Sequence, residues 1–318
     1  MNKPDKVLHI SVSSLNDFMA CRRLYYYKRI KKYEKIVFNL AMFVGKVVHV
    51  GIAALLEKGK DPIKTTMEYY REEKKEVNNK MVLSTNDLED VAKQEFIVKG
   101  MVLAYKKRYQ KLLKDSQHLQ SEVEGALQLS DNVVFVIKLD NLMNVRGIKT
   151  LHELKTSKYI TPDYIRMIQT NRQTTIYYRA YNIIYPKKPI KAILYDIIRK
   201  PSIRQKKNET KIAYAERLKD WYDAPDDMSK FHMERFSEPI VSEEEIINTI
   251  IKVSEEMIRS RDKEDYYANH EQCASYYGDI CPYYTLCHEG GETRENLLLY
   301  QIRKPYHVDK SNKKGKHA

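Results

Sequence analysis

The sequence of 318 residues has little of what marks unusual classes of protein. With only 10 glycines and 10 prolines it is not collagen-like or of low complexity, and 42% hydrophobic residues exclude a mostly disordered chain. No apolar run reaches the ~20 residues of a membrane helix, because Gly, Lys or His interrupts the best candidate, 41–56. The first residues hold too short an apolar core for a secretory signal. We therefore expect a soluble, cytoplasmic protein with no membrane partner.

Basic residues are in excess, and they concentrate at the two ends of the chain. Lys and Arg number 56 against 43 Asp and Glu, which gives a net charge of +13. Residues 1–35 contain nine basic and three acidic residues, and residues 303–318 contain six and one. Basic residues at both ends of the chain favour binding of a polyanionic partner there, while the central part of the chain is close to neutral. Codon usage alone can also produce a Lys- and Tyr-rich composition, so the net charge does not decide between a polyanionic partner and a compositional bias.

Apolar periodicity, caps and turn residues predict a helical front, a mixed middle and a helical back. Helices are predicted over 15–30 (capped by Ser13 or Ser14), 41–59, 61–80, 85–115, 161–184, 209–221 and 242–260. Strands are predicted over 120–129, 133–145, 149–155, 189–199 and 231–236. Turn signals separate the first three strands, which we therefore expect to be antiparallel.

Two acidic residues and a lysine stand out in the strand region. Asp140 lies among apolar residues, and Glu153 and Lys155 are two apart, so they share one face of a strand. If the two strands form a hairpin, Asp140 comes beside them. Two close carboxylates repel each other, which makes a divalent cation a natural occupant, and the lysine can hold a water or neutralise a phosphate. The alternative is a strand-ending aspartate and an ordinary surface ion pair.

Two helices add polar groups that can serve the same site. Gly45 and His49 are four residues apart on one helix face, where the glycine leaves room for His49 to approach other structure. A structural role for this histidine is the alternative. In the helix predicted after Lys155, a spacing of four residues places four polar side chains in one stripe, which can be a binding surface or ordinary packing: Gln169, Gln173, Tyr177 and Tyr181.

The four cysteines are too few for a disulfide framework and fall in an uneven pattern. Cys21 stands alone, whereas Cys273, Cys281 and Cys287 cluster with gaps of seven and five residues. In a cytosolic protein such a cluster favours a metal over disulfides. Zinc sites usually contain a gap of two to four residues, which is missing here, and an iron–sulfur site tolerates wider spacing. Four unrelated cysteines remain an alternative.

The order of these residues resembles the PD-(D/E)XK nuclease superfamily, in particular its RecB-like branch, which includes CRISPR-associated exonucleases and phage members. The segment SVSSLNDFMACRRLYYYKRI resembles the start of that branch, and YYGDICPYYTLC resembles its terminal motif. The resemblance covers about residues 11–287 and is carried by the following residues: Gly45, His49, Asp140, Glu153, Leu154, Lys155, Gln173 and Tyr177.

The resemblance implies a role for each group of the site. His49, Asp140 and Glu153 would bind Mg²⁺ or Mn²⁺, and Lys155 would assist the attacking water. Glu122 or Glu124 could add an upstream acidic ligand, and the sequence does not choose between them.

The resemblance also implies how the rest of the chain is used. Gln173 and Tyr177 would support the site and the DNA strand. Four cysteines would hold a [4Fe–4S] cluster, with zinc as the alternative: Cys21, Cys273, Cys281 and Cys287. The implied fold is α+β with an α/β-type core, a restriction-endonuclease-like mixed sheet flanked by helices. We divide the chain into four regions. Residues 1–116 form a helical N-terminal region with Cys21 and His49, and residues 117–205 form the nuclease core. Residues 206–300 form a helical region with the cysteine cluster, and residues 301–318 form a basic, flexible tail.

The function that follows is a metal-dependent DNA nuclease, acting as an exonuclease on single-stranded DNA or duplex ends. Alternatives are a non-catalytic DNA-binding or assembly factor in recombination or CRISPR adaptation, and an RNA-processing nuclease. The sequence contains no Walker-type glycine–lysine loop. Any unwinding would therefore come from a partner such as a helicase or a recombination or CRISPR adaptation protein. A phage-encoded protein would act in the host cytoplasm.

Overall fold

The computed structural model describes residues 7–80, 83–224, 230–274 and 280–303, which form two compact units. The first unit comprises Met1–Val12 and Phe38–Thr249, and the second comprises Ser13–Val37 and Ile250–Ala318. His49 and the acidic residues fall in the first unit, and all four cysteines fall in the second. Of the predicted flexible tail, 301–318, residues 301 and 302 instead belong to a strand, and residues from 304 onward lie outside the described residues.

Helices and strands alternate along the chain, with a helix-rich first third. The strands are β1 (Leu8–Ser11), β2 (Tyr33–Lys35), β3 (Ser116–Ser130), β4 (Val133–Val145), β5 (Ile148–Ser157), β6 (Ala192–Arg199), β7 (Phe231–Phe236) and β8 (Tyr300–Ile302). The α-helices are α1 (Val12–Ala20), α2 (Arg22–Tyr25), α3 (Leu40–Leu56), α4 (Pro62–Lys80), α5 (Thr85–Arg108), α6 (Gln110–Lys114), α7 (Pro162–Arg166), α8 (Arg172–Ile184), α9 (Lys211–Asp223), α10 (Glu243–Asp262), α11 (Tyr284–His288) and α12 (Arg294–Leu297). A π-helix covers Tyr26–Ile30, and 3₁₀ turns cover Ile168–Thr170 and His270–Gln272. Among the described helices, none is long and apolar enough to cross a membrane.

The first unit is built on a mixed sheet of six strands. The order is β1-β4-β5-β6-β7, and β3 also pairs with β4. The pairs β3–β4, β4–β5 and β6–β7 are antiparallel, whereas β1–β4 and β5–β6 are parallel. The antiparallel run of three strands and the mixed sheet flanked by helices are therefore confirmed.

One edge of β4 is shared by two strands. β1 pairs with Val133–Val136, and β5 pairs with Asn141–Val145. On this edge, residues 137–140 have no strand partner in either register, so the sheet forks at Asp140. A side chain at such a fork can be reached from both faces of the sheet.

Helices cover the two faces of this sheet. On one face α3, α4 and α5 form the main core, into which Leu154 of β5 and Ile198 of β6 project. The residues that alternate with them, such as Tyr195 and Ile197, pack on the other face against the segment that includes Ile168. The polar residues of β5 therefore sit in a sheet with helices on both sides.

Gly51 sets the close approach of three helices. A Cβ added at Gly51 would lie 2.3 Å from Oγ1 of Thr66 and 2.6 Å from Cγ2 of Val102. These residues belong to α3, α4 and α5, and no side chain larger than hydrogen fits where the three helices meet. The position of α3, which carries His49, depends on this contact.

The second unit has a small core of stacked tyrosines. The rings of Tyr283 and Tyr300 lie 5.8 Å apart and nearly parallel, and Tyr27 stacks on Tyr283 at the same distance. β2 and β8 form an antiparallel pair beside these rings, with Tyr33 of β2 in ring contact with Tyr300. The core therefore joins segments from the two ends of the chain.

Three of the predicted helices are interrupted in the structure, and the one predicted over 85–115 divides at Tyr109 into α5 and α6. The helix predicted to run from Ser13 or Ser14 to Ile30 begins at Val12 and breaks at Cys21, whose φ of −161° and ψ of 121° are extended. The helix predicted over 161–184 is interrupted before Asn171, because this residue leaves the helical region and caps α8 through its side chain. The periodicity of the sequence continues through all three breaks and does not reveal them.

Other elements differ mainly in their ends. β7 was predicted at its observed position, and β6 begins at Ala192 rather than at Pro189. β3 is longer than expected, from Ser116 to Ser130. Three short strands were not predicted, namely β1, β2 and β8, each of which needs a partner remote in sequence.

Candidate active site and cysteine cluster

Asp140 lies at the fork of the sheet, where its carboxylate receives a backbone hydrogen bond. The amide of Leu154 donates to Oδ2 of Asp140 over 3.3 Å. Asn141 pairs with His152, which brings Asp140 beside Glu153. The hairpin that the sequence suggested is therefore present, and it places the two carboxylates next to each other. Burial raises the pKa of Asp140, and the nearby Lys155 opposes this shift.

Glu153 is wholly buried on the same face of β5 as Lys155. Lys155 donates hydrogen bonds to Oε1 of Glu153 and, over 3.0 Å, to Oε1 of Gln173. Burial raises the pKa of Glu153, and Asp140 adds to the shift while Lys155 opposes it. Burial alone would lower the pKa of Lys155, but the adjacent Glu153 and Asp140 carboxylates outweigh it and raise the pKa. Lys155 therefore stays a cation at neutral pH.

His49 reaches the site from α3. Its Nδ1 lies 3.6 Å from Oδ2 of Asp140. A Cβ added at Gly45, one turn earlier, would lie 3.3 Å from Oγ1 of Thr156, so the glycine does allow close approach of α3 to β5. Burial, followed by the charge of Lys155, lowers the pKa of His49 to about 4. The ring is neutral at pH 7, the form in which histidine binds metals.

Gln173 and Tyr177 stand together on α8 beside the lysine. Gln173 accepts the hydrogen bond from Lys155 and also bonds the hydroxyl of Tyr177. Burial, followed by the charge of Glu153, raises the pKa of Tyr177 to about 12. This phenol therefore keeps its proton at neutral pH.

The predicted four-residue stripe does not exist as one surface. Gln169 lies in the 3₁₀ turn before α8 and donates to Glu234. Tyr181 is buried and accepts a hydrogen bond from Nζ of Lys149 over 2.7 Å. The break at Asn171 separates Gln169 from the helix, and only Gln173 and Tyr177 approach Lys155.

The types of donor atom in this site suit a divalent cation. Oε2 of Glu153 is buried and has no hydrogen-bond partner among the described residues, although a buried carboxylate oxygen without a partner is costly. Asp140 and the neutral His49 supply an oxygen and a nitrogen that lie 3.6 Å apart, although the donor atoms of His49, Asp140 and Glu153 do not all lie within 4.8 Å of one another. Mg²⁺ and Mn²⁺ prefer carboxylate ligands and Mn²⁺ also accepts imidazole, so these residues would hold either ion. Of the two acidic residues upstream, Glu122 forms an ion pair with Lys138.

The four cysteines lie in the second unit, and their thiols influence one another. Asn269 donates its backbone N–H to Sγ of Cys21 over 3.2 Å, and the amide of Cys281 donates to the carbonyl of Cys273. Burial, followed by the neighbouring Cys281 thiol, raises the pKa of Cys287 to about 11, and the other two thiols act in the same direction. The sequence-remote Cys21 is therefore close to the C-terminal three.

Two histidines that sequence reasoning missed adjoin this cluster. Of the described residues, only His270, Cys273 and His288 bring three histidine, cysteine or carboxylate donor atoms within 4.8 Å of one another. The Cys273 sulfur lies 3.5 Å from Nε2 of His288. Their signal in the sequence was proximity, since His270 precedes Cys273 by three residues and His288 directly follows Cys287.

The distances between the four thiols bear on which metal centre they could hold. A single zinc ion needs its ligands about 2.3 Å from one centre, which requires close sulfur atoms. No three of the four thiols lie within 4.8 Å of one another in the described chain. An iron–sulfur cluster spreads its thiolates over several irons and so accepts wider spacing. Of the four described cysteines, only Cys273 belongs to a set compact enough for a single ion, together with His270 and His288.

Comparison with known proteins identifies the family. The model of the PD-(D/E)XK nuclease superfamily matches residues 9–288, which is most of the chain. The chain therefore belongs to the PD-(D/E)XK nuclease superfamily. Its mixed sheet flanked by helices is the restriction-endonuclease-like fold expected from the sequence. Members of this superfamily typically use Mg²⁺ or Mn²⁺.

A solved structure also shows similarity to the chain. It is the crystal structure of a phage-related exonuclease from Haemophilus somnus 129PT, with 12% sequence identity and a TM-score of 0.29. The match covers 67% of this chain and 95% of that chain. None of the curated proteins compared with the sequence matches it significantly.

Proposed function

We propose that this protein is a metal-dependent DNA nuclease, acting as an exonuclease on single-stranded DNA or duplex ends. The observation that carries the proposal is the junction of Asp140, Glu153 and Lys155 at the fork of the sheet, in a chain that belongs to a nuclease superfamily. The basic ends of the chain suit a polyanionic substrate.

In this proposal three residues hold the metal. His49, Asp140 and Glu153 bind Mg²⁺ or Mn²⁺, and Oε2 of Glu153 gains the partner that it otherwise lacks. The bound ion supplies Lewis acidity toward the scissile phosphate and lowers the pKa of a water. The residues fix its position because Glu153 is buried and the Asp140 carboxylate is held by the amide of Leu154.

Lys155 acts as a hydrogen-bond donor and not as a base. Its raised pKa keeps the ammonium charged, and an ammonium has three N–H donors and no acceptor. Glu153 and Gln173 receive two of these hydrogen bonds. The third is available to orient the attacking water or to stabilise negative charge that develops on the phosphate. Gln173, itself bonded to Tyr177, keeps the ammonium aimed at this position.

A nuclease assay tests the proposal. Single-stranded and duplex DNA, each labelled at one end, are incubated with Mg²⁺, Mn²⁺ or EDTA, and RNA of the same sequence is tested in parallel. We expect metal-dependent shortening of DNA from an end, and no cleavage by the Asp140→Ala or Glu153→Ala variants. Wild-type rates for the Asp140→Ala variant would overturn the site assignment. Internal cuts in circular DNA would replace the exonuclease by an endonuclease, preference for RNA would change the substrate, and DNA binding without cleavage would favour an assembly factor.

We further propose that Cys21, Cys273, Cys281 and Cys287 hold a [4Fe–4S] cluster. The proximity of Cys21 to the three C-terminal thiols, which together raise the pKa of Cys287, supports this proposal. Protein purified without oxygen should be brown and contain about four irons per chain. A colourless preparation with stoichiometric zinc would overturn the cluster and point to His270, Cys273 and His288 as ligands.

A further inference from the structure

A basic and aromatic surface lies where the two central strands of the first unit end. β5 ends at Ser157 and is followed by Lys158 and Tyr159, while β6 ends at Arg199 and is followed by Lys200. The strands are parallel with Ser157 opposite Arg199, so both ends emerge at the same edge. The amide of Lys200 donates to the carbonyl of Ser157 over 2.7 Å and ties the two ends together.

Tyr159 is presented to solvent in a fixed turn. The Ser157 hydroxyl donates to the carbonyl of Tyr159 over 2.6 Å and accepts from its amide over 3.3 Å. The tyrosine is 49% exposed although its backbone is held. Cations border the ring, with Nζ of Lys158 5.3 Å and Cζ of Arg199 5.9 Å from its centroid. The Arg199 side chain is itself positioned by a 3.2 Å hydrogen bond to the carbonyl of Lys158.

Lys200 connects this surface to the helix that carries His49. Its ammonium donates to the carbonyl of Ala41, near the start of α3, over 2.9 Å. Its charge contributes to lowering the pKa of His49 on the same helix. Burial lowers the pKa of Lys200, and a phosphate beside its ammonium would oppose that shift.

The surface is near enough to the site to contact the same substrate molecule. Tyr159 follows Lys155 by four residues, which span at most about 14 Å. An aromatic ring bordered by cations matches a single-stranded polynucleotide, because bases stack on the ring and phosphates pair with the cations. In duplex DNA the base faces are covered by stacking, so this surface discriminates in favour of unpaired nucleotides.

We propose that Tyr159 stacks on an unpaired base next to the scissile phosphate, with Arg199 and Lys200 binding the adjoining phosphates. The inference rests on the proposed function and names single-stranded DNA, or a frayed end, as the form of substrate that the site receives. Tyr159 is a substrate-binding residue in this proposal, and it takes no part in the chemistry.

Binding measurements separate stacking from charge. Fluorescent oligo-dT and an abasic oligonucleotide of the same length are titrated into the Asp140→Asn protein, which does not degrade them. Tyr159→Ala, added to this protein, should weaken oligo-dT binding about tenfold. It should leave abasic binding unchanged, while Tyr159→Phe retains the affinity for oligo-dT. Lys200→Ala should weaken both ligands and reduce the dependence of affinity on salt.

Tyr185→Ala is the matched control, since Tyr185 is 39% exposed and follows the C-terminal end of α8. Equal oligo-dT affinities for Tyr159→Ala and Tyr185→Ala would overturn the inference and leave the nuclease proposal standing. An equal loss for oligo-dT and abasic DNA in Tyr159→Ala would also overturn stacking. If the unsubstituted protein neither bound nor cleaved DNA, the proposed function itself would fail. Matching thermal unfolding curves ensure that each variant is folded.

Discussion

Lys155 of β5 and Gln173 of α8 are joined by a 3.0 Å hydrogen bond from the ammonium to the side-chain carbonyl. The same ammonium donates to Glu153, so the hydrogen bonds to the glutamine and to the carboxylate together fix the orientation of the Lys155 side chain. This contact links the strand that carries the carboxylate to the helix on the neighbouring face of the sheet. It also gives Lys155 and Gln173 separable roles in the proposed reaction.

Lys155→Ala should abolish cleavage while metal binding is retained. Loss of a preorganised cation from a transition state typically lowers kcat by 10²- to 10³-fold. Gln173→Ala should reduce kcat less, by about tenfold, because Lys155 keeps its charge and its bond to Glu153. Single-turnover kinetics and Mn²⁺ titration calorimetry measure the two effects. Lys187→Ala, at an exposed lysine of the same unit, is the control; if Lys155→Ala lost Mn²⁺ binding as well, the division of roles would be wrong.

Asp140→Asn should abolish cleavage yet stabilise the metal-free protein. The pKa of Asp140 is raised by burial, so the ionised carboxylate is less favourable in the folded than in the unfolded chain. This cost is absent at low pH, appears as the pH rises through the unfolded pKa, and is fully present above the folded pKa. An amide removes it and can still accept from Leu154. Thermal unfolding in EDTA at pH 7 should show a Tm about 2 °C higher; a lower Tm would contradict the assigned electrostatics.

Tyr177→Ala should reduce activity or DNA affinity more than Tyr181→Ala. Only Tyr177 bonds Gln173, whereas Tyr181 is buried and bonded to Lys149. We expect Tyr181→Ala to act mainly on stability, by about 3 kcal/mol, as large-to-small changes of buried aromatic residues do. Cleavage rates and urea unfolding of both variants distinguish the effects. Equal losses of activity, or a general loss of stability from both, would indicate that Tyr177 is only a packing residue.

Cys21→Ala should bleach the proposed cluster and destabilise the second unit. Cys21 lies close to three thiols that are far away in sequence, and metal binding at such a site is coupled to folding. Visible absorption after anaerobic purification and thermal unfolding measure the two losses. Catalysis should fall only as a consequence of instability. Four freely alkylated thiols in the folded wild-type protein would show that no metal centre joins them.

Gly51→Ala should destabilise the first unit, although alanine is the better helix former. The added methyl would lie 2.3 Å from Oγ1 of Thr66 and 2.6 Å from Cγ2 of Val102, an overpacking that costs about 1–3 kcal/mol. Gly100→Ala on α5 is the matched control, because its methyl meets nothing closer than 3.9 Å. That variant should gain about 0.5–1 kcal/mol in the free energy of unfolding. Equal values for the two variants in urea unfolding would refute the packing argument.

The parts of the site that the sequence predicted are those governed by local geometry. Alternation along a strand put Glu153 and Lys155 on one face, and a short turn brought Asp140 beside them. The spacing of Gly45 and His49 predicted the close approach of α3. Each of these relations depends on a few neighbouring residues and on a single periodicity.

The parts that the sequence did not predict depend on partners remote in the chain. β1 is recognisable only through its pairing with β4, and the fork at Asp140 exists because β1 and β5 share an edge of that strand. The capping of α8 by Asn171 competes with a continuous helical pattern, and the helix breaks although no proline or glycine marks the break. The start of the predicted flexible tail is wrong, because residues 301 and 302 pair with the remote β2, and residues 304–318 lie outside the described residues.

The path of the chain between its two units has a consequence for synthesis. The segment Ser13–Val37 leaves the ribosome early, yet the rest of its unit begins only at Ile250. The contact partners of its tyrosines and of Cys21 are Tyr283, Tyr300 and the other cysteines, which are synthesised only after the whole intervening segment has been translated. The first unit can fold during this interval, whereas the early segment of the second unit exposes β2 without its partner strand and several aromatic rings. We therefore expect nascent chains to need protection from aggregation until the last residues of the second unit are made.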